Sequence, residues 1–134
     1  NLPYLIMDIA LEFEAKALEV SERQALFSEM GYDQEALARF ITQGYQLLGL
    51  VTFFTAGPQE SRAWTVQQGT TARVSAGKIH SDIERGFICA ETYTVEDLRQ
   101  HGAEKTLREK GKIRQEGRDY IVKDGDVMYF RFNV

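Results

Sequence analysis

Leu50-Val-Thr-Phe-Phe-Thr55 stands where the periodicity of this chain changes. Every residue in it is apolar, aromatic or β-branched, the pattern of a buried strand and not of an amphipathic helix. Ala56-Gly-Pro-Gln59 follows and supplies a turn, because glycine and proline preset turn backbone. Ser61 to Gln67 (SRAWTVQ) is then the return strand, with Arg62, Trp64 and Val66 on one face. The two strands make a hairpin.

Downstream, Gly69-Thr-Thr71 breaks the strand, and a hydroxyl there can cap a short helix reaching Ile79. Gly86-Phe-Ile-Cys-Ala-Glu91 reads as a third strand. Thr94-Val-Glu-Asp97 has capping-box spacing and opens a helix expected to run to about Lys110, where Gly111 stops it. Two last strands are expected, roughly Lys112 to Val122 with a break at Gly117, and Val127 to Asn133. Asp124-Gly125 would form the tight turn between them. The order hairpin, helix, strand, helix, strand, strand is that of a β-grasp: an α+β fold with a small mixed sheet around a helix, expected over residues 50–134.

Upstream of Gly49 the chain reads as helices. Leu11, Ala15 and Leu18 recur at helical spacing between Glu12, Glu14, Lys16 and Glu19. Ser21-Glu-Arg-Gln24 has capping-box spacing, and Gly31 sits where a left-handed residue would end that helix. Asp33 can cap a third helix, whose buried stripe would be Leu37, Phe40, Ile41, Tyr45 and Leu48, closed by Gly49. Residues 1–49 are thus a short helical segment. No linker rich in Pro, Gly or Ser separates it from the β-grasp unit, and no internal repeat occurs.

The chain of 134 residues suffices for one compact core, or one small domain with an extension. Its hydrophobic share of 43% with 27% charged residues is ordinary for a soluble globular protein. No apolar run is long enough for a transmembrane helix. The apolar start, Asn1 to Phe13, is interrupted by Asp8 and lacks a preceding basic residue, which argues against a signal peptide. A first residue of Asn1 instead of methionine leads us to expect a piece of a longer protein. Cys89 is the only cysteine, excluding an internal disulfide or a Cys-based zinc cluster and fitting a reducing cytoplasm. The net charge of −4 is uneven: residues 1–57 carry eight acids and three bases, residues 101–134 six acids and eight bases. An acidic total argues against wholesale nucleic-acid coating, while the basic excess between Lys105 and Arg118 leaves room for one local patch. A merely solvated helix face and strand edge is the plainer account of that excess.

Ala76-Gly-Lys-Ile-His-Ser-Asp82 invites two chemical readings. A phosphate loop needs a glycine five residues before the Gly-Lys pair and a hydroxyl after it; Ala72 and Ile79 occupy those positions, so the loop fails. A zinc site needs three or four ligands. The other histidine is His101 and the lone thiol Cys89, so a set of His80, Asp82 and Cys89 has no motif behind it. The simpler reading has His80 anchoring the helix-to-loop transition and Asp82 capping the loop before Gly86. Nothing resembles a nucleophile elbow. On the last strands Tyr120, Tyr129, Phe130 and Phe132 interleave with Arg114, Arg118 and Arg131. Aromatic and basic residues on a sheet suit single-stranded RNA recognition, but plain core burial outweighs that reading for most of these rings. Trp64 could pack the core edge or face a partner.

Taken in order, Phe53-Phe-Thr-Ala-Gly-Pro58, Arg62-Ala-Trp64, Gly69-Thr70, Ala76-Gly-Lys-Ile-His80, Asp82, Gly86-Phe-Ile88, Ala90-Glu91, Asp119-Tyr120, Asp124-Gly-Asp126 and Phe130-Arg-Phe-Asn-Val134 resemble the C-terminal end of the YchF / Obg-like ATPase family. The resemblance covers residues 22 to 134 and is specific through order and spacing. It implies that residues from about 50 to 134 form a TGS domain, a ubiquitin-like β-grasp module shared with threonyl-tRNA synthetases and (p)ppGpp synthetases. His80, Asp82, Gly86, Gly125 and Asp126 match its signature, in structural roles. It also implies an upstream P-loop domain using ATP or GTP with Mg2+ in the full-length parent. That motor is absent here, and residues 1–49 resemble the closing helices of that domain.

The expected function is therefore non-catalytic: a cytoplasmic module docking to the ribosome or RNA and positioning the nucleotide-binding domain, with no cofactor or metal of its own. Arg108, Lys110, Lys112, Arg114 and Arg118 are the candidate phosphate contacts. DNA and membranes are not expected partners. The alternative is a ubiquitin-like protein-interaction or intramolecular regulatory module that binds no RNA.

Overall fold

A computed structural model describes residues 4–32, 35–57 and 60–133. The chain forms two compact units, Asn1–Leu48 and Gly49–Val134.

The first unit holds helices α1 (Ile9–Ala15), α2 (Val20–Glu29) and α3 (Ala36–Leu47). Asp8 caps α1, its carboxylate accepting the Leu11 N–H at 3.0 Å. The second helix begins one residue before the expected cap, so Ser21 lies inside it. Glu22 reaches back to the extended Glu19 and accepts its N–H at 3.3 Å, which moves the capping pair upstream. Gly31, at φ +78, ends this helix as expected. The expected Asp33 cap lies outside the described residues. Glu35 occupies the N-cap position of α3, and Glu12 accepts the Ala36 N–H at 2.7 Å. A carboxylate from α1 thus satisfies one of the helix-end donors that has no intrahelical partner.

The apolar stripe of α3 departs from its expected burial. Leu37, Phe40, Ile41 and Leu48 are 66%, 60%, 51% and 64% exposed, and Tyr45 is exposed as well. Helical periodicity marks which side of a helix is apolar; a facing element is still needed to cover it. The first unit buries Ala15, Phe27 and Ala36, and its three short helices leave the α3 stripe open.

The second unit contains β1 (Leu50–Ala56), β2 (Ser61–Gln67), α4 (Ala72–Ile79), α5 (Ser81–Arg85), β3 (Phe87–Thr94), α6 (Val95–His101), α7 (Glu104–Glu109), β4 (Arg114–Glu116) and β5 (Asp126–Phe132). The strands form one mixed sheet in the order β2-β1-β5-β3-β4. β1 and β2 make the expected antiparallel hairpin, from Leu50 opposite Gln67 to Ala56 opposite Ser61. β5 enters the middle, parallel to β1 at Phe54–Val127 and antiparallel to β3. The expected α+β architecture with a mixed sheet is present.

Four local expectations are corrected. The helix after Thr94 opens with its capping box, the Thr94 hydroxyl accepting the Asp97 N–H at 3.0 Å, but it breaks at Gly102 (φ +80) into α6 and α7. A left-handed residue cannot continue a right-handed helix. The strand expected over 112–122 shrinks to the three residues of β4, with only an isolated bridge between Ile121 and Thr71 beyond it. β4 also pairs with β3 instead of β5, so Asp124-Gly125 feeds β5 between two other strands and does not close a hairpin. The loop expected before Gly86 contains the short helix α5.

The main core lies on one sheet face, where Phe53, Val66, Ala90, Met128 and Phe130 meet Ala72 and Ala76 of α4. The alanines let the helix approach closely. The Phe53 and Phe130 rings meet edge to face with centroids 6.0 Å apart. Strand alternation sends Tyr93, Val127 and Phe54 to the opposite face, where Leu107, Leu98 and Ile113 cover one end. The rest of that second face carries the polar and aromatic side chains considered next.

Candidate functional site

The stretch from Ala76 to Asp82 turns out to be a helix junction. His80 ends α4, its N–H bonded to the Ala76 carbonyl at 3.2 Å, and begins α5, where its Nδ1 accepts the Asp82 N–H at 3.1 Å. Asp82 takes the Arg85 guanidinium at 2.7 Å. Gly86 follows where β5 ends: it accepts the Asn133 N–H at 2.9 Å, and a Cβ at Gly86 would collide with the Asn133 backbone. Cys89 is buried in β3 with Gln115 Nε2 3.1 Å from its sulfur. Among the described residues no three His, Cys, Asp or Glu side chains stand close enough to share a metal ion. His80, Asp82 and Cys89 therefore do not assemble into a ligand set.

A second junction forms at Gly125-Asp126. Gly125 (φ +81) donates its N–H to the Thr52 carbonyl of β1 at 2.9 Å and accepts the Val95 N–H at 2.9 Å. Asp126 is fully buried; its Oδ2 accepts the Tyr120 hydroxyl and the Lys123 N–H, each at 2.9 Å. Arg114 lies 3.7 Å from the other oxygen. Burial, followed by the bond to Asp126, pushes the Tyr120 phenol up to about 12. Tyr120, a candidate stacking ring, is committed to holding this turn.

The remaining aromatic and basic candidates separate by exposure. Phe130 is buried in the core, whereas Tyr129 and Phe132 are 60% and 41% exposed. Of the five basic residues, Arg108 bonds Glu91 at 2.9 Å and Glu104 at 3.2 Å, and Arg114 bonds Glu116 at 3.0 Å. Lys110, Lys112 and Arg118 stand exposed around β4, the outer strand, and form no ion pair among the described residues. Lys110 Nζ lies 3.4 Å from His101 Nδ1. Of the five, Arg108 and Arg114 are held by carboxylates, and Lys110, Lys112 and Arg118 make no ion pair among the described residues.

One arrangement was not anticipated from the sequence. Glu91, in β3, holds two arginines at once: Arg131 Nε bonds its Oε1 at 2.7 Å and Arg108 bonds its Oε2 at 2.9 Å. Its side chain is 14% exposed. The hydrogen bond from Arg108, and then that from Arg131, hold its carboxyl below the usual glutamate range against the opposing cost of burial. The available signal was the lone charged residue of the strand Phe87 to Thr94, which must find a cationic partner if buried. The partners lie 17 and 40 residues away, so spacing could not name them. Beside them opens a cavity of about 400 Å³, lined by Ala56, Gly57, Tyr93, Glu104 and Tyr129 as well as the Glu91 trio.

A family model described as YchF-GTPase_C, protein of unknown function (DUF933), matches residues 50–133. The chain belongs to the YchF-GTPase_C family. It is 48% identical over 134 residues to the ribosome-binding ATPase YchF of Bacillus subtilis, covering all of this chain and 37% of that protein. It is 50% identical over 125 residues to the protein of the same name from Escherichia coli O157:H7, covering 93% and 34% respectively. To human Obg-like ATPase 1 it is 48% identical over 124 residues, covering 92% and 31%. The chain thus spans about a third of the length of these relatives, within their C-terminal part. Among solved structures it matches the Schizosaccharomyces pombe YchF GTPase with a TM-score of 0.72 and 30% identity, over 93% of this chain and 33% of that one. No described helix is long and apolar enough to cross a membrane.

Proposed function

We propose that this chain is the docking module of a YchF-type ATPase, binding the ribosome through RNA and positioning a nucleotide-binding domain that it does not itself contain. The observation that carries the proposal is the trio Lys110, Lys112 and Arg118, exposed and without an ion pair among the described residues around the outer strand β4. Phosphate oxygens can take such cations without first breaking an ion pair. The sheet order β2-β1-β5-β3-β4, with α4 packed on one face, supports reading Gly49–Val134 as a TGS-type β-grasp domain. The names of the bacterial relatives, ribosome-binding ATPases, point the same way. The open apolar stripe of α3 suits helices that close a larger nucleotide-binding domain. ATP or GTP with Mg2+ belongs to that domain in the parent protein, and the module works in the cytoplasm.

The test is ribosome binding by the full chain across a salt series. Replacing Lys110, Lys112 and Arg118 together with alanine should weaken binding and lower the log–log salt slope by roughly 2, at about 0.7 per lost single-strand phosphate contact. An unchanged slope would show that these residues are not the contact. The rival reading, a protein-interaction module, draws on exposed Ile88, Tyr129 and Phe132 on the sheet. It predicts that capture by ribosomes survives nuclease treatment of the ribosomal RNA.

A further inference from the structure

We propose that the open sheet face over β5 and β3 is a nucleotide subsite for single-stranded RNA, with a base stacked on Tyr129 and the adjoining phosphate held by Arg131 and Arg108. The proposal rests on the RNA-docking reading above and gives it a second, distinct contact. Tyr129 is directly opposite Glu91 in the β3–β5 register, and Arg131 is opposite Cys89, so strand alternation places Tyr129, Arg131 and Glu91 on one face. The Tyr129 ring is 60% exposed although β5 is the central strand of the sheet. An aromatic ring standing free on a sheet is a stacking platform, and stacking tolerates any base.

The guanidiniums beside it are already ordered. Glu91 fixes Arg131 through one oxygen and Arg108 through the other, yet the two arginine side chains remain 55% and 56% exposed. Each guanidinium carries five N–H donors, so several stay available on the solvent side. One carboxylate shared by two cations leaves a surplus positive charge. That surplus is now taken by Glu104, 3.2 Å from Arg108 and itself 51% exposed. A phosphate would displace Glu104, a rim carboxylate that costs little to release, while Glu91 keeps both arginines in place. The cavity of about 400 Å³ between Gly57, Tyr129 and α7 falls within the size range of small-ligand sites. The solvent-side N–H donors of two ordered guanidiniums, one of them held on its outer side only by an exposed carboxylate, favour a nucleic acid over an apolar protein segment at this position.

The probe is a fluorescently labelled short oligouridylate titrated with the full chain. Tyr129→Ala should weaken binding about tenfold, the order expected for one lost base stack, while Tyr129→Phe, which keeps the ring, should bind as the parent does. Glu104→Gln should tighten binding a few-fold, because it removes the competitor for Arg108. Unchanged melting of the three variants separates these effects from misfolding. If the parent chain shows no affinity for the oligouridylate, or Tyr129→Ala binds it equally well, the subsite is refuted. The docking proposal then still stands if the Lys110, Lys112 and Arg118 variant loses ribosomes. If Tyr129→Ala loses ribosomes in a manner indifferent to nuclease, the face binds protein and the inference is overturned.

Discussion

Removing the hydroxyl from Tyr120 is the sharpest test of how the second unit is held together. Asp126 is fully buried at the start of the central strand; its Oδ2 accepts from the Tyr120 hydroxyl and the Lys123 N–H, while its Oδ1 has no hydrogen-bond partner among the described residues, with Arg114 3.7 Å away. A hydrogen bond to a charged group contributes about 1.5–3 kcal/mol, and a buried acceptor left short of one partner costs a similar amount. Tyr120→Phe keeps the ring against the core and deletes only the donor, so a loss of about 2 kcal/mol is expected. The Tyr120 hydroxyl contact to Arg114, at 3.4 Å, is too long to add much. Asp126→Asn should cost more, because its amide donors would face the Lys123 N–H or the Arg114 guanidinium, neither of which accepts. In the double variant the two losses should fall short of their sum by about 1–2 kcal/mol, the signature of direct coupling. Trp64, the only tryptophan, lies half-buried at the edge of this unit's core, so its fluorescence in urea reports on this unit. If Tyr120→Phe shifts the midpoint by less than about 0.5 kcal/mol at an unchanged m-value, the buried carboxylate does not anchor the sheet as argued.

Gly86→Ala should destabilise the second unit by about 1–3 kcal/mol, since the new methyl meets Asn133 backbone and not a yielding side chain. Gly117→Ala, with no neighbour within 4 Å of its Cβ and no positive φ, should be neutral or slightly stabilising in the same urea titration. In acid, Glu91 contributes stability that is complete above the ordinary glutamate range and is lost as pH falls through its lowered folded value. Glu91→Gln should flatten that part of the melting-temperature profile; an identical slope would mean the arginine pair adds nothing. At the alkaline end the raised phenol of Tyr120 should make stability fall between about pH 10 and about pH 12, and Tyr120→Phe should remove that fall.

Most of what could be read in advance was local. Leu50 to Gln67 announces a hairpin by composition and turn chemistry, and Thr71, Gly31, Gly49 and Gly111 sit at helix ends where capping and left-handed backbone require them. The resemblance to the YchF family agreed with the strand order read from periodicity and marked His80, Asp82, Gly86, Gly125 and Asp126 as signature residues in structural roles. Gly102 was legible in principle, as a glycine inside a helical pattern, but tertiary packing had to choose between a tolerated interior glycine and a left-handed stop. Which cations of the basic cluster are ion-paired was only partly legible, for a related reason. Arg108 is held by Glu91, which β3 brings in from 17 residues away, whereas Arg114 is held by Glu116 of its own strand.

Local sequence determined most of the elements, though not the break at Gly102 or the length of β4, because caps, turns and hydrophobic period act over a few residues and need no partner. Tertiary structure alone decided that β5 inserts between β1 and β3, that Asp126 is buried while Tyr129 two strand positions beyond its neighbour Val127 is bare, and that the α3 stripe stays open. Those outcomes depend on which surfaces meet. Burial, ion pairing and exposure are properties of the facing element, and a residue's own neighbours in the chain do not specify what will face it.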